Sequence, residues 1–420
     1  MLIDIPYGEA SLPLHVPDHA CVVQPPKSRT RERLDEILRT ALDNPVDSKP
    51  LRQVARGKTS AVIVINDNTR PAPNREMLEV LLPELAEAGI KEDDVTVLVA
   101  TGNHRANTPE EIRQMVGHDL AERLRILNHD CEDIDRLTFK GTTPAGLPVW
   151  VNKTLDEADL VILTGLIAPH QSAGFSGGRK SLVPGAAGLQ TIIKHHSFPI
   201  RSYEPIIGVL EGNPFHTEAV YASRMVDPAF ILNVVQNADG DIDFAVAGDM
   251  ESAHLLGVEK CRSSWSVVFP HRFDIIIVSP GGYPRDIDLH QSQKAVATAE
   301  LVAAPDAVII LAAECRNGIG KFSSWLKAAA TPDEVIERFS REGFTTRDHS
   351  SKAFMWARAF KAYSVCLYCE NIDTGELRDM FFQPEEDLQK AVDRVIAQKG
   401  PSAKILVLPG AIHCIPSISR

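Results

Sequence analysis

Short runs rich in Val and Ile alternate along this chain with longer stretches of helical periodicity, and this alternation narrows the fold more than any other feature. The strands it predicts cover residues 61–65, 95–100, 160–164, 273–279, 307–312, 362–368 and 404–408. The helices it predicts cover 75–88, 109–116, 291–303, 332–340 and 384–398. Strand–helix alternation of this kind argues for mostly parallel sheets covered by helices. One hydrophobic core does not usually serve 420 residues, so two α/β domains are expected. The strand pattern pauses between about Val235 and Pro270 and restarts at Phe273, which places the boundary near 270. Domains over 1–270 and 271–420 follow, with room for the last residues to pack back on the first domain.

Composition removes several function classes. The formal net charge is −12 and no Lys/Arg run marks a basic face, so no nucleic-acid partner is expected. An acidic total still allows a local cationic pocket for a small anion. The opening MLIDIPYGEASLPLHVP lacks a basic region followed by an apolar core, and no apolar run is long enough for a bilayer. No membrane association is expected. Seven scattered cysteines, an odd number without framework spacing, read as reduced thiols in the cytoplasm. Cys366 and Cys369 form a CxxC, but no second ligand pair stands at zinc-site spacing, and AYSVCLYCE reads as a buried strand.

In open α/β sheets, ligands bind beyond the carboxyl ends of the strands, so the loops after each strand carry the candidate chemistry. The first is Asn66-Asp67-Asn68-Thr69-Arg70-Pro71, where Asp and Thr can hold a turn or a ribose and Arg70 can fork onto a carboxylate. The second is Thr101-Gly102-Asn103-His104-Arg105. It is fixed in place by Thr108-Pro109-Glu110-Glu111, which combines an N-cap Thr, Pro at the first helical position and Glu at the third. His104 beside a glycine at a strand end is suited to proton transfer near neutral pH. Taken singly, a solvated Arg70 and a bystander His104 are the plainer readings.

The third loop is the densest. It runs from Gly165 through Pro169-His170 and Ala173-Gly174-Phe175-Ser176-Gly177-Gly178-Arg179-Lys180-Ser181, with Pro184-Gly185 and His195-His196 following. The spacing from Gly174 to Lys180-Ser181 fits a phosphate loop, but Arg179 stands where a glycine is required before the lysine. A plain turn with an exposed lysine does not explain why His170, Lys180, His195 and His196 crowd one region. Adjacent helical residues point about 100° apart, so at most one of His195 and His196 serves a given site. In the second half, Gly281-Gly282-Tyr283-Pro284-Arg285-Asp286 precedes His290-Gln291-Ser292-Gln293-Lys294. If a helix starts near Asp288, Gln291 and Lys294 share a face. A solvated helix face is an equal alternative there.

DNTRPAP, TGNHR with TPEE, APHQSAGFSGGRKSLVPG, TIIKHHS and GGYPRDIDLHQSQK occur in this order over nearly the whole chain. The combination resembles the lactate racemase family. That resemblance implies two α/β domains with the active site in the cleft between them, the first domain binding the cofactor and carrying catalysis. It implies a racemase or epimerase that inverts the α-carbon of a 2-hydroxy acid through a 2-oxo acid. The cofactor implied is a nickel pincer nucleotide, a pyridinium mononucleotide with two sulfur-bearing arms, joined to Lys180 through a thioamide. Its nickel would take His196 as the protein ligand, since imidazole suits Ni(II). Asp67, Thr69, Gly177 and Gly178 would hold the nucleotide, and Gln291 and Lys294 would reach it from the second domain. Arg70, Lys294 and Gln291 would bind substrate, and His104 and His170 would be the two catalytic bases. Cofactor-biosynthesis proteins would load the chain.

His290 departs from the aromatic residue expected before Gln291 in members acting on lactate, and Gln171-Ser172 adds further polarity. A substrate other than lactate, such as a longer short-chain acid, malate or a sugar acid, fits this departure. The alternative reading keeps the fold as a nucleotide-binding or cofactor-carrier protein without turnover. A zinc hydrolase is weaker, because no carboxylate-flanked His motif is present.

Overall fold

The structure, a computed structural model, describes residues 1–23, 33–70, 72–236, 241–346 and 348–419. The chain divides into two compact units. One comprises residues 33–202 with Gly208–Ser264, and the other residues 1–23, Tyr203–Ile207 and those from Trp265 on.

The first unit is built on a six-stranded sheet. In spatial order its strands are Ile242–Gly248, Phe230–Gln236, Leu160–Ile167, Ala61–Asn66, Val95–Ala100 and Arg125–Asn128. Five run parallel and the Ile242–Gly248 edge is antiparallel. Every residue of Leu160–Ile167 and the first five of Ala61–Asn66 are buried. A strand covered on both faces needs apolar side chains on both, which is why these runs are continuous rather than alternating. Ile63, Val97, Ile162 and Leu232 pack against Met77, Leu78, Leu81 and Leu85 of the Asn74–Ala88 helix. Gly89 ends that helix at φ 99°, a conformation open to glycine. Leu160–Ile167, Ala61–Asn66 and Val95–Ala100 are adjacent and parallel, so the loops after all three leave from the same edge of the sheet.

The second unit carries a fully parallel sheet. Its order is Gln383–Glu385, Ser364–Tyr368, Ala303–Ala312, Phe273–Val278, Ile405–Leu408 and Cys21–Val22. The N-terminal residues belong here and not with the first unit, which corrects the expected 1–270 domain. Leu2–Tyr7 and Ala10–His15 form a hairpin that buries Ile5, Tyr7, Leu14 and Val16 in one core with Ile275, Ile277, Ile310 and Val407. Cys21 then pairs with Leu406. A two-residue strand has no periodicity to read, so this return of the chain was invisible in the pattern. At the other end, Ile415–Ile418 pairs in parallel with Ser266–Phe269 of the same unit.

Most expected elements agree within a few residues, and two differences have physical reasons. The apparent pause after Val235 contains Ile242–Gly248, whose first three residues are only partly buried at a sheet edge and so lack a continuous apolar run. The helix expected from Pro384 begins at Leu388, because Gln383–Glu385 is an edge strand, where proline costs no ladder bond on the open side. Cys366 and Cys369 are buried thiols and all seven cysteines are unpaired by disulfides. Among the described residues, no helix is long and apolar enough to cross a membrane.

In the second unit, Arg358 on the Ser350–Ala362 helix meets Glu300 on Leu289–Glu300 at 2.6 Å, both side chains buried. Arg358 also donates to the Tyr203 carbonyl at 2.8 Å, tying Tyr203–Ile207 to this unit. Removing one partner of a buried pair strands the other charge. Glu300→Ala should therefore cost about 3–5 kcal/mol in urea unfolding, whereas a loss below about 1 kcal/mol would show that the pair does not hold the two helices.

Candidate active site

Three of the expected site residues form one network at the carboxyl edge of the first unit's sheet. Asp67 follows Ala61–Asn66 and is almost fully buried. Its Oδ1 accepts from Thr69 Oγ1 at 2.7 Å, and its Oδ2 lies 2.6 Å from His104 Nδ1. A carboxylate on Nδ1 fixes the proton there and leaves Nε2 with the lone pair, the form of a general base. The His104 side chain is 46% exposed, enough to meet a substrate. The loop is held from both sides. Thr108 and Glu111 form the expected capping box, and Glu111 also binds Arg105 and Asn68. Gly102, at φ 56°, donates to the Gly185 carbonyl at 2.8 Å and so ties this loop to the glycine-rich one. Arg70 is exposed beside Asp67.

The glycine-rich segment folds as a short hairpin followed by a single turn of 3-10 helix. Pro169–His170 pairs with Gly174–Phe175, and the turn Gly178–Ser181 carries Lys180. Gly174, at φ 73°, has no space for a side chain, since a Cβ would lie 2.1 Å from the Val209 carbonyl oxygen. His170 Nδ1 accepts from the backbone N–H groups of Ser172 and Ala173, each at 3.1 Å. The ring proton therefore sits on Nε2. Nε2 lies 3.0 Å from Lys180 Nζ. That contact sets the Lys180 amine directly beside the His170 ring.

Gly177 and Gly178 occupy left-handed backbone at φ 77° and 54°. A Cβ on Gly177 would lie 2.6 Å from Asn233 Oδ1, and one on Gly178 2.8 Å from the His254 ring. Gly178 N–H donates to Asn233 Oδ1 at 2.6 Å. The contacts that require glycine here are thus made by the protein behind the loop, and the Gly178 amide is already engaged. Asn233 and His254 support the loop together with Arg179, and the first two were missed in the sequence. Asn233 sits inside an apolar strand and His254 on a helix with weak periodicity, so neither stood out.

The Leu189–His195 helix separates the two adjacent histidines. His195 is fully buried, its Nε2 2.8 Å from the Phe215 carbonyl and its ring centroid 3.8 Å from that of Phe215, tilted at 41°. Burial pushes its ring down to about 3, so it is a neutral core histidine. His196 keeps some exposure, and its Nδ1 donates to the Ile192 carbonyl at 2.9 Å. That bond puts the lone pair on Nε2, the arrangement usual for a metal-binding imidazole. Burial holds His196 well below the ordinary histidine value, which keeps it neutral for a metal. Among the described residues, no three His, Cys, Asp or Glu side chains could together hold a metal ion.

In the second unit, Asp288 caps the Leu289–Glu300 helix by accepting from Gln291 N–H at 2.7 Å. Lys294 Nζ donates to Gln291 Oε1 at 2.6 Å, so the two share a face as their spacing predicts. His290 Nδ1 lies 3.1 Å from His349 Nδ1, and the two imidazoles must share one proton.

The Asp67–His104 bond has a pH signature. Burial would raise the Asp67 carboxyl, but the hydrogen bond and charge of His104, the Thr69 hydroxyl and Arg70 outweigh it and hold the group below 3.8. A carboxyl held low in the fold adds stability above its unfolded value and loses it as pH falls through the folded one. Asp67→Asn should cost about 1.5–3 kcal/mol near pH 7 in urea unfolding. The gap from wild type should narrow as pH drops below about 4. A gap of constant size at every pH would remove the ionic part of this bond.

Comparison with known proteins finds relatives over nearly the whole chain. The family profile described as lactate racemase N-terminal domain matches residues 7–206, and that described as lactate racemase C-terminal domain matches 268–415. A lactate racemase from Thermoanaerobacterium thermosaccharolyticum is 36% identical, covering 98% of each chain. One from Lactiplantibacillus plantarum is 33% identical, covering 98% of this chain and 99% of the other. The solved lactate racemase apoprotein from T. thermosaccharolyticum superposes with a TM-score of 0.91 at 35% identity, over 99% of this chain and 100% of that one. A Thermotoga maritima protein of 20% identity gives a TM-score of 0.64 over 88% of this chain and 98% of its own, a likeness of fold alone. The chain belongs to the lactate racemase family, and with it to the isomerases.

Proposed function

We propose that this protein inverts the α-carbon of a short 2-hydroxy acid, lactate or a close relative, with a nickel pincer nucleotide attached to Lys180. The observation that carries the reading is the pair of fixed imidazoles on neighbouring loops. His104 presents a lone pair set by Asp67, and His170 is held by two backbone amides beside Lys180. Inversion through a planar 2-oxo acid needs a proton-transfer group for each face, and two oriented histidines meet that need.

The residues present fit the cofactor. Lys180 offers an amine for attachment, and His196 offers an imidazole oriented through its Nδ1 by the Ile192 carbonyl. When bound, the group would accept the Cα hydride and give it back, chemistry that no side chain supplies. Arg70 would bind the substrate carboxylate through its planar fork. His104 would take the hydroxyl proton as hydride leaves the α-carbon. His170, having taken up a proton from solvent to become an imidazolium, would give it to the oxygen after hydride reaches the opposite face, and in the reverse reaction neutral His170 would take it while protonated His104 gives one back. Asp67 and Thr69 would hold the nucleotide as well as orient His104. Gly177 and Gly178 would contribute the shape of the turn. Gln291 and Lys294 would bind substrate and cofactor. Loading by cofactor-biosynthesis proteins in the cytoplasm belongs to the same proposal, and the reduced cysteines accord with it.

The test is chiral chromatography of single-enantiomer 2-hydroxy acids incubated with loaded protein. At least one acid should approach the racemate from both sides. His104→Ala and His170→Ala should each slow inversion by about 10²–10⁴-fold while nickel stays bound. His196→Ala should lose nickel. Nickel-loaded protein that inverts none of lactate, longer acids, malate or sugar acids would be a carrier instead.

A further inference from the structure

Arg179, the residue that breaks the phosphate-loop pattern, is 1% exposed. Its guanidinium donates to the Ala173 carbonyl at 2.8 Å and the Gly177 carbonyl at 3.2 Å, bracing both ends of the turn before Lys180. Nη1 also lies 2.9 Å from His254 Nε2. That nitrogen is itself 2.9 Å from the Ser176 carbonyl, and one tautomer cannot serve both contacts. The Nε–H is buried without a partner. No carboxylate is paired with Arg179 among the described residues, in contrast to the equally buried Arg358, which meets Glu300 at 2.6 Å. The histidines around it do not offset its charge. His216 is held near 4 and His254 well below its ordinary value, in each case by burial first and with Arg179 adding to the shift. Asp67 is engaged by His104 and Thr69.

A guanidinium stays charged in a protein, and a buried charge without a partner is unfavourable until an anion comes near. Arg179 is part of the Gly177–Lys180 turn and bonds back to the Gly177 carbonyl, and Lys180 is the next residue along it. Resting on the nucleotide reading above, we propose that Arg179 is a positioning residue whose uncompensated charge is met by the phosphate of the bound nucleotide, so that it favours the loaded protein over the empty one. Its effect is electrostatic and acts through the loop, without contact with the reacting atoms. Buried in protein of low dielectric, one charge acts strongly over several ångströms. Lysine in its place keeps the charge and loses the fork, whereas glutamine keeps amide donors and loses the charge.

Full-length apo protein titrated calorimetrically with nicotinate mononucleotide, and with the riboside lacking the phosphate, separates the two contributions. Arg179→Gln should weaken mononucleotide binding about tenfold or more, and Arg179→Lys by less than about threefold. Riboside affinity should change by less than about threefold in both variants. Equal loss in both variants, or equal loss for both ligands, would make Arg179 a brace only and overturn the inference. Circular dichroism spectra matching wild type establish that both variants fold. If wild type binds neither ligand, the nucleotide reading fails together with this inference. If wild type binds the mononucleotide and Arg179→Gln binds it equally well, the inference alone fails.

Discussion

The site depends on the parallel pairing of three strands. Ala61–Asn66 lies between Leu160–Ile167 and Val95–Ala100, in register from Ala61 opposite both Leu160 and Val95. Parallel strands end on one side of the sheet, so the loops bearing Asp67, His104 and Lys180 leave from one edge although about a hundred residues separate the first from the last. Burial on both faces makes these strands rigid, and a rigid edge is what precise placement of proton-transfer groups requires. Shorter connections finish the alignment. Gly102 bonds the Gly185 carbonyl, and Ser181 Oγ bonds back to the Thr164 carbonyl of the central strand at 2.8 Å.

Protonation is set by backbone and neighbouring groups more than by bulk pH. Asp67 fixes one tautomer of His104, amides of Ser172 and Ala173 fix another at His170, and the Ile192 carbonyl fixes that of His196. Each imidazole thereby shows one defined face to a ligand. Burial keeps His195, His196 and His254 neutral, so the positive charge near the glycine turn resides on Arg179 and not on a shared histidine cluster. The same desolvation makes an anion effective there, because little water competes for it.

The parallel cores were legible because two-sided burial demands unbroken Val/Ile runs, as in AVIVI and LVILTGLI. The Thr108 capping box was legible because it rests on residues three apart in sequence. The placement of the N-terminal residues was not, since Cys21–Val22 pairs with Ile405–Leu408 almost 400 residues away and the hairpin packs on that same distant core, and local pattern says nothing of that. The roles of Gly177 and Gly178 were half legible: glycine is required, but by Asn233 and His254 behind the turn. Arg179 was read as a misfit to the phosphate loop, and only burial without a carboxylate reveals it as a charge held in place. The choice of His196 over His195 came from resemblance. The hydrogen bonds supply a reason for it, since His195 is committed to the core at Phe215.

The central claim is that Lys180 and His196 hold a nickel-bearing nucleotide. Protein made together with the cofactor-biosynthesis proteins can be weighed intact, mapped by peptide mass and assayed for metal. The account predicts an added nucleotide-sized mass confined to the peptide containing Lys180, with nickel close to one per modified chain and lost from His196→Ala. Unmodified Lys180 without nickel, in protein whose partners load a known member of the family in parallel, would contradict it.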